Sequence, residues 1–376
     1  MTRENLSYGA LVSLLENDDK ITYRNGLDII MKQIPNSDVQ EGQLDPRVYH
    51  VLKEQQESAV PDVFPKIHDL EDIPFKQLRN QMGWPNKDIT KTDIQINKQT
   101  IKGKNGSIPI RIYSPKTKTA NLPGILFFHG GAFFGGSVDI IENCCKFLSE
   151  KAEAVVIAVN YRLAPEHPFP DGINDCFDAV KWVYHNAVEI GVNHEQIVVT
   201  GDSAGGNFAT VCSMKDRDLG TGIIKLQALI YPSVNMGEIQ TEDFSWDIEE
   251  YTINKHYDLI QMSMMGLKDT LPLVKKAYLQ NRENIRNPHI SPLLAEDVSG
   301  MPETLIITAE FDKFRLECEA YARKLIKSKV STKLIQYNGV DHAFIDKIGI
   351  YPQAEDCMNE IAKSVNTVLN RQEEEI

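Results

Sequence analysis

The sequence predicts an α/β fold: a mostly parallel, eight-stranded sheet flanked by helices and covered by a helical cap. Three observations carry that expectation. Short β-branched runs recur with helix-length segments between them. The later runs are apolar at every position, as strands of a parallel sheet buried on both faces must be. A long segment, Asn235–Asn287, interrupts the rhythm after the sixth run and is too long for a structureless loop.

The elements follow in order. The first ~90 residues show helical periodicity and no convincing strand, which assigns 1–92 to an N-terminal helical segment contributing to the cap. Asp93–Ile101 and Pro109–Tyr113 lie close together and alternate, as an antiparallel edge does. Gly124–Phe128, Ala154–Asn160, Gln196–Thr200 and Gln227–Tyr231 follow, then Thr304–Thr308 and Thr332–Tyr337. Between two of them Ile173, Cys176, Phe177, Val180, Val183, Tyr184 and Ala187 hold the three-and-four spacing of one buried helix face. The catalytic core is thus expected from 93–234 and 288–376. The insertion 235–287 supplies cap helices near Ile248–Met265 and Leu271–Gln280.

Composition narrows the class. Apolar residues make up 42% and charged residues 25% of 376, an ordinary globular balance that excludes disorder and fibrous repeats. A net charge of −13 argues against a nucleic-acid partner, because such affinity comes mostly from neutralised phosphates. No apolar run approaches the ~20 residues of a membrane span, and Met1-Thr2-Arg3-Glu4-Asn5 leads into no secretory h-region, so a cytoplasmic chain without membrane insertion is expected. Six cysteines, two of them adjacent, suit thiols better than a disulfide framework. Neither CxxC nor HExxH spacing occurs, so no metal site and no cofactor is expected.

The chemistry concentrates in three places. Gly201-Asp202-Ser203-Ala204-Gly205 fits G-x-S-x-G, with the strand Ile197–Thr200 before it and a helical segment, Asn207–Lys215, after it. That setting permits a sharp turn that exposes the Ser203 hydroxyl. A serine is a poor nucleophile at neutral pH and needs a base oriented by an acid. In elbow-type triads these follow in the order serine, acid, histidine, on loops after strands. His342, after the last strand, is the favoured base, and Asp312, after Thr304–Thr308, the favoured acid. Glu310 and Asp341 compete for the acid role, Asp341 being disfavoured as the histidine's own chain neighbour. His50, His68 and His185 read as ordinary surface or satisfied histidines. Phe127–Gly136, glycine-rich and directly after a strand, can offer backbone N–H groups to an oxyanion, and Ala204 another. It lacks the G-x-x-x-x-G-K-[ST] of a phosphate loop.

With His129-Gly130-Gly131, Asn160-Tyr161-Arg162-Leu163-Ala164-Pro165-Glu166, the elbow at Ser203, Ile290-Ser291-Pro292-Leu293, and Asp312 with His342, the chain resembles the hormone-sensitive-lipase-like (bacterial family IV) esterases of the α/β-hydrolase superfamily. The resemblance spans roughly Leu44 to Asn370. It implies Ser203 as nucleophile, His342 as base and Asp312 as orienting carboxylate. It also implies an oxyanion hole at Gly130, Gly131, Ala132 and Ala204, with Gly130 shaping the loop and the other three donating. The Tyr161–Glu166 turn would brace that loop. Ala132 stands where relatives often carry a third glycine, and Asp312-Lys313-Phe314-Arg315 departs from their usual acid motif. Residues 1–43 exceed the family's usual length. The implied activity is hydrolysis of short- to medium-chain esters through an acyl-enzyme, the partner being a small-molecule ester and self-association left open. The same triad would serve an amide or formamide hydrolase; a binding-only relative would lack the histidine. Met262, Met264 and Met265 are candidates to line the acyl pocket.

Overall fold

The computed structural model describes residues 6–17, 19–35, 39, 41–57, 73–116, 120–280 and 282–374, so His68 lies outside the described residues. Ten strands form one sheet: β1 (Asp19–Arg24), β2 (Leu27–Lys32), β3 (Ile94–Gly103), β4 (Gly106–Pro115), β5 (Leu122–Phe128), β6 (Val155–Val159), β7 (Val192–Asp202), β8 (Ile224–Ile230), β9 (Glu303–Phe311) and β10 (Thr332–Asp341). Their spatial order is β1-β2-β10-β9-β8-β7-β5-β6-β4-β3. β2 and β5 to β10 make parallel pairs, while β3–β4, β4–β6 and β1–β2 pair antiparallel. All eight anticipated runs are present, as β3 to β10. The helices are α1 (Tyr8–Asn17), α2 (Pro46–Glu57), α3 (Phe75–Asn80), α4 (Glu142–Ala152), α5 (Asp171–His185), α6 (Ala204–Leu219), α7 (Tyr257–Val274), α8 (Arg315–Lys327) and α9 (Pro352–Glu374).

The expected eight strands are ten, and the expected strandless N-terminal segment contains two of them. β1 and β2 form a hairpin about Asn25-Gly26, both at positive φ (48° and 83°), the geometry a two-residue type I′ turn demands. Leu27, Ile29 and Met31 of β2 point into the core, and the strand adds in parallel to β10. Lys32 at its end is fully buried, its ammonium held by Asp19 at 2.7 Å, Glu360 at 3.1 Å and Asp356 at 3.4 Å. A buried cation persists only when paired in this way. The hairpin is thereby locked to α9.

The middle strands are apolar because both faces are covered. Every residue of β6 is buried, α4 packs on α9, and α5 packs on α6. All six cysteines are buried free thiols. Among the described residues no helix is long and apolar enough to cross a membrane. The chain runs from β5 outward to β6, then returns past β5 to β7 and onward. The order reverses between β5 and β7, so the loops leaving their carboxyl ends part and open a crevice. Those loops carry the glycine-rich run and Ser203.

The insertion differs from its expectation. Ile248–Glu250 is a single 3-10 turn, and one helix, α7, runs through Tyr257–Val274 into a π-turn at Lys275–Leu279. α2 packs on α7, and α7 also touches β10.

Candidate active site

Ser203 sits between β7 and α6 at φ 54°, ψ −115°. A side chain costs about 1–3 kcal/mol in such a conformation, and it persists only where the surroundings over-determine it. They do so here. The Ser203 amide donates to Ile230 O at 2.9 Å, and its carbonyl accepts from Asn207 N at 3.1 Å and Ser233 N at 3.2 Å. Asn207 in turn donates to Ser233 O at 2.8 Å and Ile290 O at 3.0 Å, so the Ile290–Leu293 motif buttresses the elbow. Gly205 is obligatory: a Cβ there would strike the carbonyl oxygen of Phe128.

His342 leaves the end of β10 and Asp312 the end of β9, both over the crevice. Nε2 of His342 lies 3.0 Å from Ser203 Oγ, and Nδ1 lies 2.7 Å from Asp312 Oδ2. Asp312 is fully buried, its other oxygen accepting from the Phe314 amide at 2.8 Å. The Tyr231 and Phe314 rings flank the imidazole at 4.7 and 5.2 Å. Burial pulls the imidazole pKa down, but the charge and hydrogen bond of Asp312, with the charges of Asp202 and Asp341, outweigh it and hold it above its ordinary value. The arrangement is a hydroxyl in hydrogen-bond reach of a base that a buried carboxylate orients. It can move a proton off Ser203 and return it to a leaving group.

The competing acids have other tasks. Glu310 accepts from the amides of Gly42 and Gly339, both at 2.7 Å, tying the N-terminal segment to the loop after β10; burial pushes its carboxyl up to about 7. Asp341 accepts from Ser263 of α7 at 3.0 Å. His129 is buried, stacked on Tyr161 at 4.2 Å, and burial pushes its pKa down to about 4.

Gly131, Ala132 and Ser203 line one cavity of about 280 Å³, together with Met82, Trp84, Leu267 and His342. Gly131 stands at φ 125° and Ala132 at φ 54°, so the loop tolerates a Cβ at the second position only with left-handed backbone. The Ala204 amide, first in α6, has no acceptor within the helix. Gly130 differs from its expected place in an oxyanion hole: its N–H donates to Asp202 Oδ1 at 2.8 Å and is spent there. Asp202 is therefore a clasp between the two loops; burial and the Asp346 charge raise its pKa.

Sequence reasoning missed Arg79. Its Nε donates to Phe134 O at 2.6 Å and one terminal nitrogen to Ala164 O at 2.7 Å, while the other meets Glu166 at 2.9 Å. Thus the glycine-rich loop and the Tyr161–Glu166 turn are braced through a residue of α3, a short helix whose only sequence signal is an arginine in its last turn. Arg162 faces away and forks onto Asp175, both bonds 2.8 Å. Of the three candidate methionines, Met262 lines a cavity beside His342, whereas Met264 is core. Among the described residues no group of His, Cys, Asp or Glu is arranged to hold a metal.

Fold and site together define a hydrolase of the nucleophile-elbow type. A family model described as alpha/beta hydrolase fold matches residues 125–346. The chain is 36% identical over 247 residues to an arylesterase of Saccharolobus solfataricus, covering 65% of this chain and 75% of that one. It is 32% identical over 267 residues to carboxylesterase NlhH of Mycobacterium tuberculosis, covering 70% and 80% respectively. A solved esterase of Pyrobaculum calidifontis superposes with a TM-score of 0.69 at 31% identity, over 87% of this chain and 99% of its own. The chain belongs to the hormone-sensitive-lipase-like esterases of the α/β-hydrolase superfamily.

Proposed function

We propose that the protein hydrolyses short- to medium-chain carboxylic esters through an acyl-enzyme on Ser203. The observation that carries this is the unbroken relay Asp312–His342–Ser203, at 2.7 and 3.0 Å, beside a cavity rimmed by free backbone amides. Ser203 Oγ attacks the ester carbonyl as His342 Nε2 takes its proton. The oxyanion is held by the amides of Gly131, Ala132 and Ala204, each such donor being worth a few kcal/mol. The alcohol leaves with the proton from His342. Water, activated by the same imidazole, then releases the acid. A cavity of about 280 Å³ suits a short acyl chain better than a long one. α2 together with 235–287 forms the cap that covers this chemistry. The net charge of −13 supports a small-molecule substrate over nucleic acid, in a cytoplasmic setting.

The test is a p-nitrophenyl ester series on the native chain and Ser203→Ala. Activity should peak at short to medium acyl chains, and the variant should lose at least about 10³-fold in kcat. Equal rates for the two proteins would remove Ser203 as nucleophile.

A further inference from the structure

A second cavity of about 280 Å³ adjoins the first, with Trp84 and His342 in the walls of both. The two differ in chemistry. The second is enclosed by α2, α7 and the turn after His342, and it gathers polar groups that the fold leaves unanswered. Lys347 is only 5% exposed, and its Nζ has neither hydrogen bond nor ion pair among the described residues. It lies over the rings of Trp84 at 4.2 Å and Tyr351 at 5.2 Å. Asp341, 7% exposed, takes Ser263 on one oxygen and has no partner for Oδ1. The Tyr351 hydroxyl is likewise buried without a partner.

Buried polar groups without partners are rare, and three in the wall of one cavity ask for a ligand that answers them together. Their chemistry is specific. Lys347 Nζ can only donate, Asp341 Oδ1 as a carboxylate can only accept, and the Tyr351 hydroxyl can do either. An aliphatic chain satisfies none of them. A bare carboxylate would face Asp341, and a bare ammonium would face Lys347. Neighbouring hydroxyls, each donating and accepting, fit all three. The cavity ends at the imidazole that must stand beside the scissile bond, so one limb of a bound ester is directed into it.

We infer that Lys347, Asp341 and Tyr351 form a subsite for a hydroxylated limb, which makes the preferred substrate class esters of polyols or of hydroxy acids. This deepens the ester-hydrolase reading and rests on it. The three are specificity residues: they read the limb and take no part in proton transfer.

Two substrate pairs on the full chain test it. Glyceryl monobutyrate against propyl butyrate probes the alcohol limb, and ethyl dihydroxybutyrate against ethyl butyrate probes the acyl limb. The hydroxylated member of at least one pair should have kcat/KM higher by about tenfold or more, since a site built to pair hydroxyls rejects analogues that lack them. Lys347→Met and Tyr351→Phe should each bring that ratio toward one, chiefly through KM. Tyr351→Phe keeps the ring and so remains informative if the lysine variant does not fold. Ratios near one in the native chain would mean that the cavity holds only water, and a ratio unchanged in both variants would place hydroxyl recognition elsewhere; either result overturns the inference. Failure to hydrolyse any of the four esters would instead overturn the ester-hydrolase reading, and the subsite with it.

Discussion

Replacing Asp312 by asparagine isolates what the buried carboxylate does. The side chain is isosteric and sits with no solvent contact. One oxygen is committed to the Phe314 amide at 2.8 Å, so the new amide nitrogen must take the position that faces His342 Nδ1 at 2.7 Å. A donor there cannot pair with Nδ1–H. The ring adopts the other tautomer, with the proton on Nε2 pointing at Ser203 Oγ, and can no longer accept the serine proton. Loss of the correct tautomer costs about 10⁴ in kcat in triads of this geometry, close to 5 kcal/mol of barrier. Steady-state turnover of p-nitrophenyl butyrate near neutral pH reads the loss, with thermal unfolding as the control for folding. Glu310→Gln provides the contrast. Its carboxylate accepts two backbone amides, and a glutamine NH₂ would oppose one of them, so the cost should be about 1–3 kcal/mol in stability with turnover retained. An Asp312→Asn variant within tenfold of native turnover, or a Glu310→Gln variant as inactive as the serine knock-out, would refute the assignment of the acid.

The remaining predictions are simpler. Because Asp312 holds the His342 pKa above its ordinary value of about 6.5 against the pull of burial, kcat/KM should fall toward acid with a midpoint above that value; a midpoint below it contradicts the electrostatics. The same shift has the opposite sign for folding. A group whose pKa is raised in the native state stabilises the protein fully below the unfolded pKa and loses that contribution as pH rises through the native one, so the His342 contribution to stability fades as activity rises. Arg79→Ala removes the brace between Phe134 O, Ala164 O and Glu166 and should lower kcat about ten- to hundredfold by loosening the amide-bearing loop. Native kcat in that variant would show that the loop holds itself.

Most of this architecture is legible in the sequence because it rests on local rules. Continuous apolar runs such as Val155–Val159 can only be doubly covered strands, and the small residues around Ser203 admit only a sharp turn. The hairpin was legible too, by a signal that periodicity hides: Asn25-Gly26 is the residue pair a type I′ turn prefers, but β1, with Asp19, Lys20 and Arg24 in six residues, is too polar to stand out as a strand. The single cap helix with its π-turn resulted where Pro272 entered a helix that tertiary packing carried through. Arg79 and Lys347 were not legible. An arginine that meets two carbonyls and a carboxylate, the farthest 87 positions on, leaves no trace in spacing, and a lysine five places after the histidine reads as surface until burial shows otherwise.

The central claim is that one hydroxyl among the chain's many is a nucleophile because His342 activates it. Treatment with diethyl p-nitrophenyl phosphate followed by peptide mass spectrometry tests it most directly. The account predicts one diethylphosphoryl group per chain, on Ser203, and none in His342→Ala. An adduct on any other residue, or undiminished labelling of Ser203 without the histidine, would contradict it.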